Sequence, residues 1–168
     1  FYWLSKIAKD TDFELVMVTN QDGLGTSSFP EETFWPAQNK ILKAFENEGV
    51  KFSNIFIDRS LARDNKPTRK PGIGMLTEFF NGDYDLKDSY VIGDRLTDIE
   101  LAKNLGAKGI LINNGSLTET MNQKGLQPLC SLMTTSWRDI YNLLAIPERS
   151  ASVTRSTKET DVKIDINL

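Results

Sequence analysis

The sequence predicts an open, doubly wound α/β sheet, mostly parallel and Rossmann-like. The first observation behind this expectation is a set of four short apolar runs, LVMV (15–18), IFI (55–57), YVI (90–92) and ILI (110–112). None alternates cleanly with polar residues, and continuous short runs suit strands buried on both faces, as in parallel sheets. The second is that helical patterns separate these runs, giving the order α-β-α-β-α-β-α-β-α. The third is that polar or glycine-containing segments follow the runs at 19–23 and 93–95, where ligands bind in such sheets.

Each element has its own signal. The chain opens within a helix-like stretch, FYWLSKIAKD. After LVMV, residues 33–48 place Phe34, Ala37, Ile41, Ala44 and Phe45 at helical spacing, with Gly49 as a stop. With Thr33 as N-cap, Pro36 falls in the first turn, where proline is tolerated. Pro71 and Gly72 open a helix over roughly 73–80. Residues 97–105 carry Ile99, Leu101, Ala102 and Leu105, with Gly106 as the stop, and SWRDIYNLLA (136–145) makes the last helix. The polar stretch PERSASVTRSTKET (147–160) reads as a linker. Beyond it DVKIDINL alternates apolar and polar residues, the period of a half-buried strand and commonly of an antiparallel one. The sheet type therefore changes after about residue 147, as at the opening of a second domain.

Composition removes several classes. The 168 residues carry a net charge of −3, which disfavours a general nucleic-acid binder. Cys130 is the single cysteine, so no intramolecular disulfide forms and a reducing, cytoplasmic setting is expected. There is no histidine, which excludes histidine triads and histidine-ligated metals. No run of about 18 apolar residues is present, so no membrane span is expected. The first residues lack both a starting Met and a signal peptide's charged start and cleavage site, and the expectation is a cut chain.

Three segments offer chemistry at the strand ends. Thr19-Asn20-Gln21-Asp22-Gly23 follows the first run, Gly93-Asp94-Arg95 follows the third, and Arg69-Lys70-Pro71 precedes a helix. Cations and backbone amides at a helix start suit a phosphate. Carboxylates beside a phosphate repel it unless a hard cation such as Mg2+ lies between. The set points to metal-assisted phosphoryl chemistry. Each member also has a plain reading: TNQDG is strong turn chemistry, most lysines are solvated, and Asp98 suits the first turn of a helix. Asp94 is harder to dismiss, since a carboxylate closing a buried strand must be solvated or paired.

In these residues the sequence resembles the haloacid dehalogenase-like phosphatase superfamily. Its second motif is matched by Thr19, its third by Lys70, and its fourth, GDxxxD, by Gly93 to Asp98. VTNQDGLG, TRKPG and VIGDRLTDIELAKNLGA look most similar to histidinol-phosphate phosphatases, a domain commonly fused to imidazoleglycerol-phosphate dehydratase. Arg149, Ala151, Val153, Arg155, Thr157, Glu159 and Thr160 match the opening of that dehydratase. The resemblance covers nearly all of residues 1–146 for the first domain, and implies that 147–168 are linker and first strand of the second.

The resemblance implies hydrolysis of histidinol phosphate in histidine biosynthesis through an aspartyl-phosphate. It assigns Asp94 and Asp98 to Mg2+, with Asp98 either ordering the metal shell or pairing with Lys70. Thr19, Asn20, Arg69 and Lys70 would hold phosphate, Thr19 and Lys70 with catalytic roles. Arg95 would be either a substrate-phosphate cation or a structural one. The full-length protein would be a homo-oligomer through the dehydratase domain, acting on a small phosphorylated substrate, with no nucleic-acid or membrane partner.

The sequence departs from the family in two places. The opening DxDGT motif, source of the nucleophile and the general acid, is absent, and neither Asp22 nor Asp58 sits in such a pair. The fragment alone is therefore expected to be inactive and poorly stable, since the family's first strand lies between those at 15–18 and 90–92. The loop before Arg69, DRSLARDNKPT (58–68), has neither Cys nor His, so no zinc is expected, and rigidity would come from Pro67 and ion pairs among Arg59, Arg63 and Asp64. The alternatives are a heptose-bisphosphate phosphatase of the same superfamily, a non-catalytic phosphate-binding module, and a receiver-like domain. The last is disfavoured because a receiver's lysine follows its phosphorylated Asp, whereas Lys70 precedes Asp94.

Overall fold

The computed structural model describes residues 1–145, 150–156 and 161–167. Strand β4 (Lys108–Ile112) shows why the chain winds on both sides of its sheet. Consecutive strand residues point to opposite faces, and here both faces are apolar. Ile110 packs with Ile7 of α1 (Tyr2–Asp10) and Ile140 of α5 (Trp137–Ala145). Leu111, the next residue, packs with Ile99 of α3 (Leu96–Leu105) and Met121 of α4 (Thr118–Gln123). Both are fully buried, and burial of each such side chain stabilises the fold by about 1.5–3 kcal/mol.

The strands form two parallel sheets rather than one. β1 (Val16–Asn20) pairs with β2 (Asn54–Asp58), matching Thr19 to Ile57 and Asn20 to Asp58. β3 (Tyr90–Gly93), β4 and β5 (Cys130–Thr134) form the second, in the order β3-β4-β5. Among the described residues, β1 and β3 each keep one edge without a backbone partner. A cavity of about 420 Å3 lies against both strands, lined by Val16, Val18, Val91, Ile92 and Leu101 among others. A third core cluster reaches from one sheet to the other, with Leu76, Phe79 and Leu101 packed by Val16, Val18, Phe56 and Val91. Side chains thus join two sheets whose backbones do not meet.

Several expectations need correction. The run CSLMT becomes β5, and 118–123 becomes α4; both are short, and the alternation and apolar face were too weak to announce them. Only Met121 of α4 is buried. The helix expected over 73–80 is a short 3-10 turn at Thr77–Phe80. Gly72 and Gly74 explain the delay: a Cβ on Gly72 would lie 2.2 Å from the Pro67 carbonyl oxygen, and one on Gly74 2.9 Å from it. The chain here is folded tightly on itself instead of coiling. Helix α2 (Glu31–Asn47) starts earlier than expected, with Pro30 as its N-cap, so Pro36 lies inside the helix rather than in its first turn. Gly106, the expected stop of α3, takes a left-handed φ of 74° at its C-cap.

The stretch read as a linker contains strand β6 (Ser150–Ser156), which pairs antiparallel with β7 (Asp161–Asn167), matching Val153 to Ile164. The period-2 tail is thus a strand, and antiparallel. Arg149, Thr157, Glu159, Thr160 and Leu168 lie outside the described residues, as does the expected domain boundary at 146/147. No helix among the described residues is long and apolar enough to cross a membrane.

Candidate active site

Lys70 is the hub of the site. Its backbone is held by the side chain of Asn20, at the end of β1: Lys70 N–H donates to Asn20 Oδ1 at 3.0 Å. Asn20 Nδ2 donates back to the Lys70 carbonyl at 3.2 Å. Its ammonium pairs with Asp98 Oδ1, in the first turn of the helix that follows β3, at 2.8 Å. Asp98 is buried, with 5% of its side chain exposed, and the Lys70 side chain is 18% exposed. The second Asp98 oxygen accepts the Arg95 backbone N–H at 3.1 Å, closing the first turn of α3 where a carboxylate also suits the helix dipole. A buried carboxylate left unpaired is costly; here both oxygens are satisfied.

Gly93 makes this placement possible. A Cβ built on it would lie 2.1 Å from Asp98 Oδ2 and 2.2 Å from Asp98 Cγ. The fourth motif therefore needs glycine before Asp94 because the Asp98 carboxyl occupies the space a side chain would fill. Of the two roles open to Asp98, the structure shows the pairing with Lys70.

The other expected residues line the same strand ends. Thr19 Oγ1 accepts from Gln21 Nε2 at 2.9 Å, leaving its own hydroxyl proton to give. Asp94 and Arg95 leave β3 into solvent and are exposed. Among the described residues neither has a side-chain hydrogen bond or ion pair to another side chain. Arg69 is differently engaged. Its Nη1 donates to Asp22 Oδ1 at 2.7 Å and to the Ser60 carbonyl at 2.7 Å, and its Nη2 to Asp22 Oδ2 at 3.1 Å. The hydrogen bond from Asp22, aided by the nearby charges of Asp22, Asp58 and Asp64, holds the guanidinium pKa above its ordinary value. Arg69 thus ties the segment after β1 to the segment after β2.

The loop at 58–68 is held, but not by the ion pairs expected within it. Arg59 pairs with Glu31 at 2.6 Å, and Asp64 Oδ2 accepts the Leu61 N–H at 2.9 Å. The work falls to Asp58, which is 5% exposed at the end of β2. Its Oδ1 accepts the Ser60 N–H at 2.9 Å and the Ser60 hydroxyl, and its Oδ2 accepts the Thr68 hydroxyl at 2.5 Å. Burial pushes the Asp58 carboxyl pKa up, but these hydrogen bonds and the nearby Arg69 charge outweigh it and hold it below the ordinary value. Asp22, Asp58, Ser60 and Thr68, and the side chain of Asn20, are the members that sequence reasoning missed. The short DRS turn after a strand was the available signal, since Asp commonly bonds the backbone two residues on.

Among the described residues, no three His, Cys, Asp or Glu side chains converge as a metal cage. Mg2+ does not require one: it keeps several waters and binds one or two carboxylates together with phosphate oxygens. Asp94, an exposed carboxylate without a side-chain partner among the described residues and four residues before the Lys70-paired Asp98, fits as one such donor.

Thr19 at the end of β1, Asp94 just past β3, and the Lys70–Asp98 pair make up the candidate site. Residues 67–129, which contain Lys70, Asp94 and Asp98, match the family model described as HAD-hydrolase-like. Among particular relatives, it is 52% identical over 177 residues to the histidine biosynthesis bifunctional protein HisB of Spirosoma linguale, covering 98% of this chain and 45% of that protein. It is 52% identical over 166 residues to HisB of Bacteroides fragilis, covering 98% and 44%. The chain thus spans less than half the length of these relatives. A solved structure, D,D-heptose 1.7-bisphosphate phosphatase from B. bronchiseptica with magnesium and phosphate, superposes with a TM-score of 0.68 at 28% identity. The match covers 84% of this chain and 80% of that one.

Proposed function

We propose that residues 1–146 are the phosphatase domain of a longer two-activity protein, and that it hydrolyses histidinol phosphate to histidinol. The observation that carries this reading is the anchoring of Lys70 by Asn20, which with Thr19 ends β1, and by Asp98 in the first turn of α3, the helix that follows Asp94. The bifunctional, histidine-biosynthetic names of its relatives support the substrate. On the same reading, residues 147–168 open an imidazoleglycerol-phosphate dehydratase domain, through which the full-length protein assembles.

In the reaction, Lys70 places a fixed positive charge on the phosphoryl group as it transfers. Fixed charges and dipoles of this kind usually contribute most of the rate enhancement in phosphoryl transfer. Because Asp98 and Asn20 already hold Lys70, little rearrangement is needed when substrate arrives. Thr19 donates its hydroxyl to a phosphate oxygen, alongside the Asn20 amide. Arg95, exposed and without a side-chain partner among the described residues, is available to the substrate phosphate. Asp94 would hold Mg2+, which when bound neutralises charge on the phosphate oxygens. The attacking carboxylate would arrive on a strand seated between β1 and β3. Their two parallel edges, unpaired among the described residues, with an apolar cavity against both, support that reading.

The test is phosphate release by the full-length protein with Mg2+, comparing histidinol phosphate with D,D-heptose 1,7-bisphosphate. Histidinol phosphate should turn over faster, and Lys70→Ala or Asp94→Asn should each lower kcat by about a hundredfold or more, as loss of one preorganised charge does. Preference for the heptose bisphosphate would favour the sugar phosphatase instead, as the structural neighbour's substrate suggests.

A further inference from the structure

The segment between β2 and Lys70 leaves and returns to one carboxylate. Asp58 Oδ1 takes the N–H and hydroxyl of Ser60 at the start of the excursion, and Oδ2 takes the Thr68 hydroxyl at its end. The same residue's carbonyl accepts the Gln21 N–H at 2.7 Å, binding the strand ends together. From the returning end, Arg69 reaches back to the Ser60 carbonyl and forward to Asp22. Gly72 and Gly74 then pack against Pro67, so the chain enters the site compactly. Between these fixed ends, residues 62–67 are exposed.

We propose that Asp58 is a positioning residue: by holding Ser60 and Thr68 together it fixes the 59–69 loop that delivers Lys70 to the phosphate. A buried carboxylate with three donors is well suited to this, because hydrogen bonds to a charged acceptor are about twice as strong as neutral ones. The role rests on the phosphatase reading for its chemical meaning, but the loop's tethering stands apart from it. Lys70 keeps two further anchors, Asn20 and Asp98, so loosening the loop should disturb substrate capture more than the chemical step.

Trypsin reads the tether directly, because Arg63 lies at the exposed centre of the loop and cleavage after it needs local opening. Thr68→Val removes one donor with little change in shape; Asp58→Ala removes the acceptor; Thr68→Ser keeps the hydroxyl. Under native conditions, cleavage after Arg63 should accelerate about tenfold or more in the first two, the factor expected for one lost charge-assisted hydrogen bond. The Thr68→Ser variant should behave as the parent. If Asp58→Ala does not fold, Thr68→Val alone decides. Unchanged cleavage in Thr68→Val, or acceleration by the same factor at sites throughout the chain, overturns the proposal. In the full-length protein Thr68→Val should raise KM more than it lowers kcat; an equal fall in kcat with unchanged KM also overturns it. An inactive full-length parent would sink the phosphatase reading and leave the proteolysis result to judge the tether.

Discussion

The side chain of Asn20 and the backbone of Lys70 bond each other twice, as two peptide groups would, at 3.0 and 3.2 Å. The pair lies outside the regular ladder and joins the end of β1 to a loop 50 residues away. Asn20→Ala leaves both Lys70 groups without these partners in a half-buried place. A loss of about 1–3 kcal/mol is expected, measured as a lower urea midpoint. Asn20→Asp should cost more than Asn20→Ser, because a carboxylate would face the Lys70 carbonyl.

Gly93→Ala tests the overlap with Asp98. The new methyl would meet a short, buried side chain held at both oxygens, so it cannot simply swing aside. The expected cost is about 1–3 kcal/mol of overpacking together with loss of the Lys70 pair. A crystal structure of the variant should show Asp98 in another rotamer. An unchanged Asp98 with unchanged stability would refute the account of why glycine stands there.

The Lys70 and Asp98 pair predicts an asymmetry. Lys70→Met strands a buried carboxylate and should destabilise by a few kcal/mol, toward the lower end of about 3–5 kcal/mol because the lysine is partly exposed. The double variant Lys70→Met with Asp98→Asn should recover part of that loss, since the uncompensated charge is gone. A double-mutant cycle by chemical denaturation measures the coupling; strict additivity would mean the pair contributes nothing.

Acid should loosen the 59–69 loop through Asp58. Its folded pKa lies below the ordinary 3.8, the net result of burial raising it and the bonds from Ser60 and Thr68 lowering it further. A depressed carboxylate contributes stability that is present above the unfolded value and lost as pH falls from about 4 through the folded pKa. The stability difference between the parent and Asp58→Asn should therefore shrink over that window. Exposed carboxylates such as Asp10 and Asp88 are also lowered, so the parent's own acid slope is shared and the comparison isolates Asp58.

Hydrogen exchange should grade the strands. β4 has a partner on each side, whereas β1 and β3 each have one among the described residues. Amides of Ile110 and Ile112 should exchange more slowly than those on the open edges of β1 and β3. Equal protection across all three would mean that the gap closes in solution.

Much of this protein was legible in its sequence because apolar runs and their polar exits are local signals. LVMV, IFI, YVI and ILI mark four strands, and the placement of Thr19 and Asp94 follows from where two of them end. Gly106 could be read as a stop because a left-handed C-cap favours glycine whatever surrounds it. The elements that escaped, α4 and β5, are short and half-exposed, so their periodicity is faint. Tertiary structure alone decided the partners. Asn20 and Lys70, or Asp58 and Thr68, meet because strands far apart in sequence end at one level, and no local pattern encodes that approach. It also brought Lys70 to Asp98, whose one carboxylate oxygen takes the ammonium and whose other takes a helix N–H. The same holds for the open edges of β1 and β3: each run reads as a buried strand, but which edges find a partner depends on what else the sheet contains.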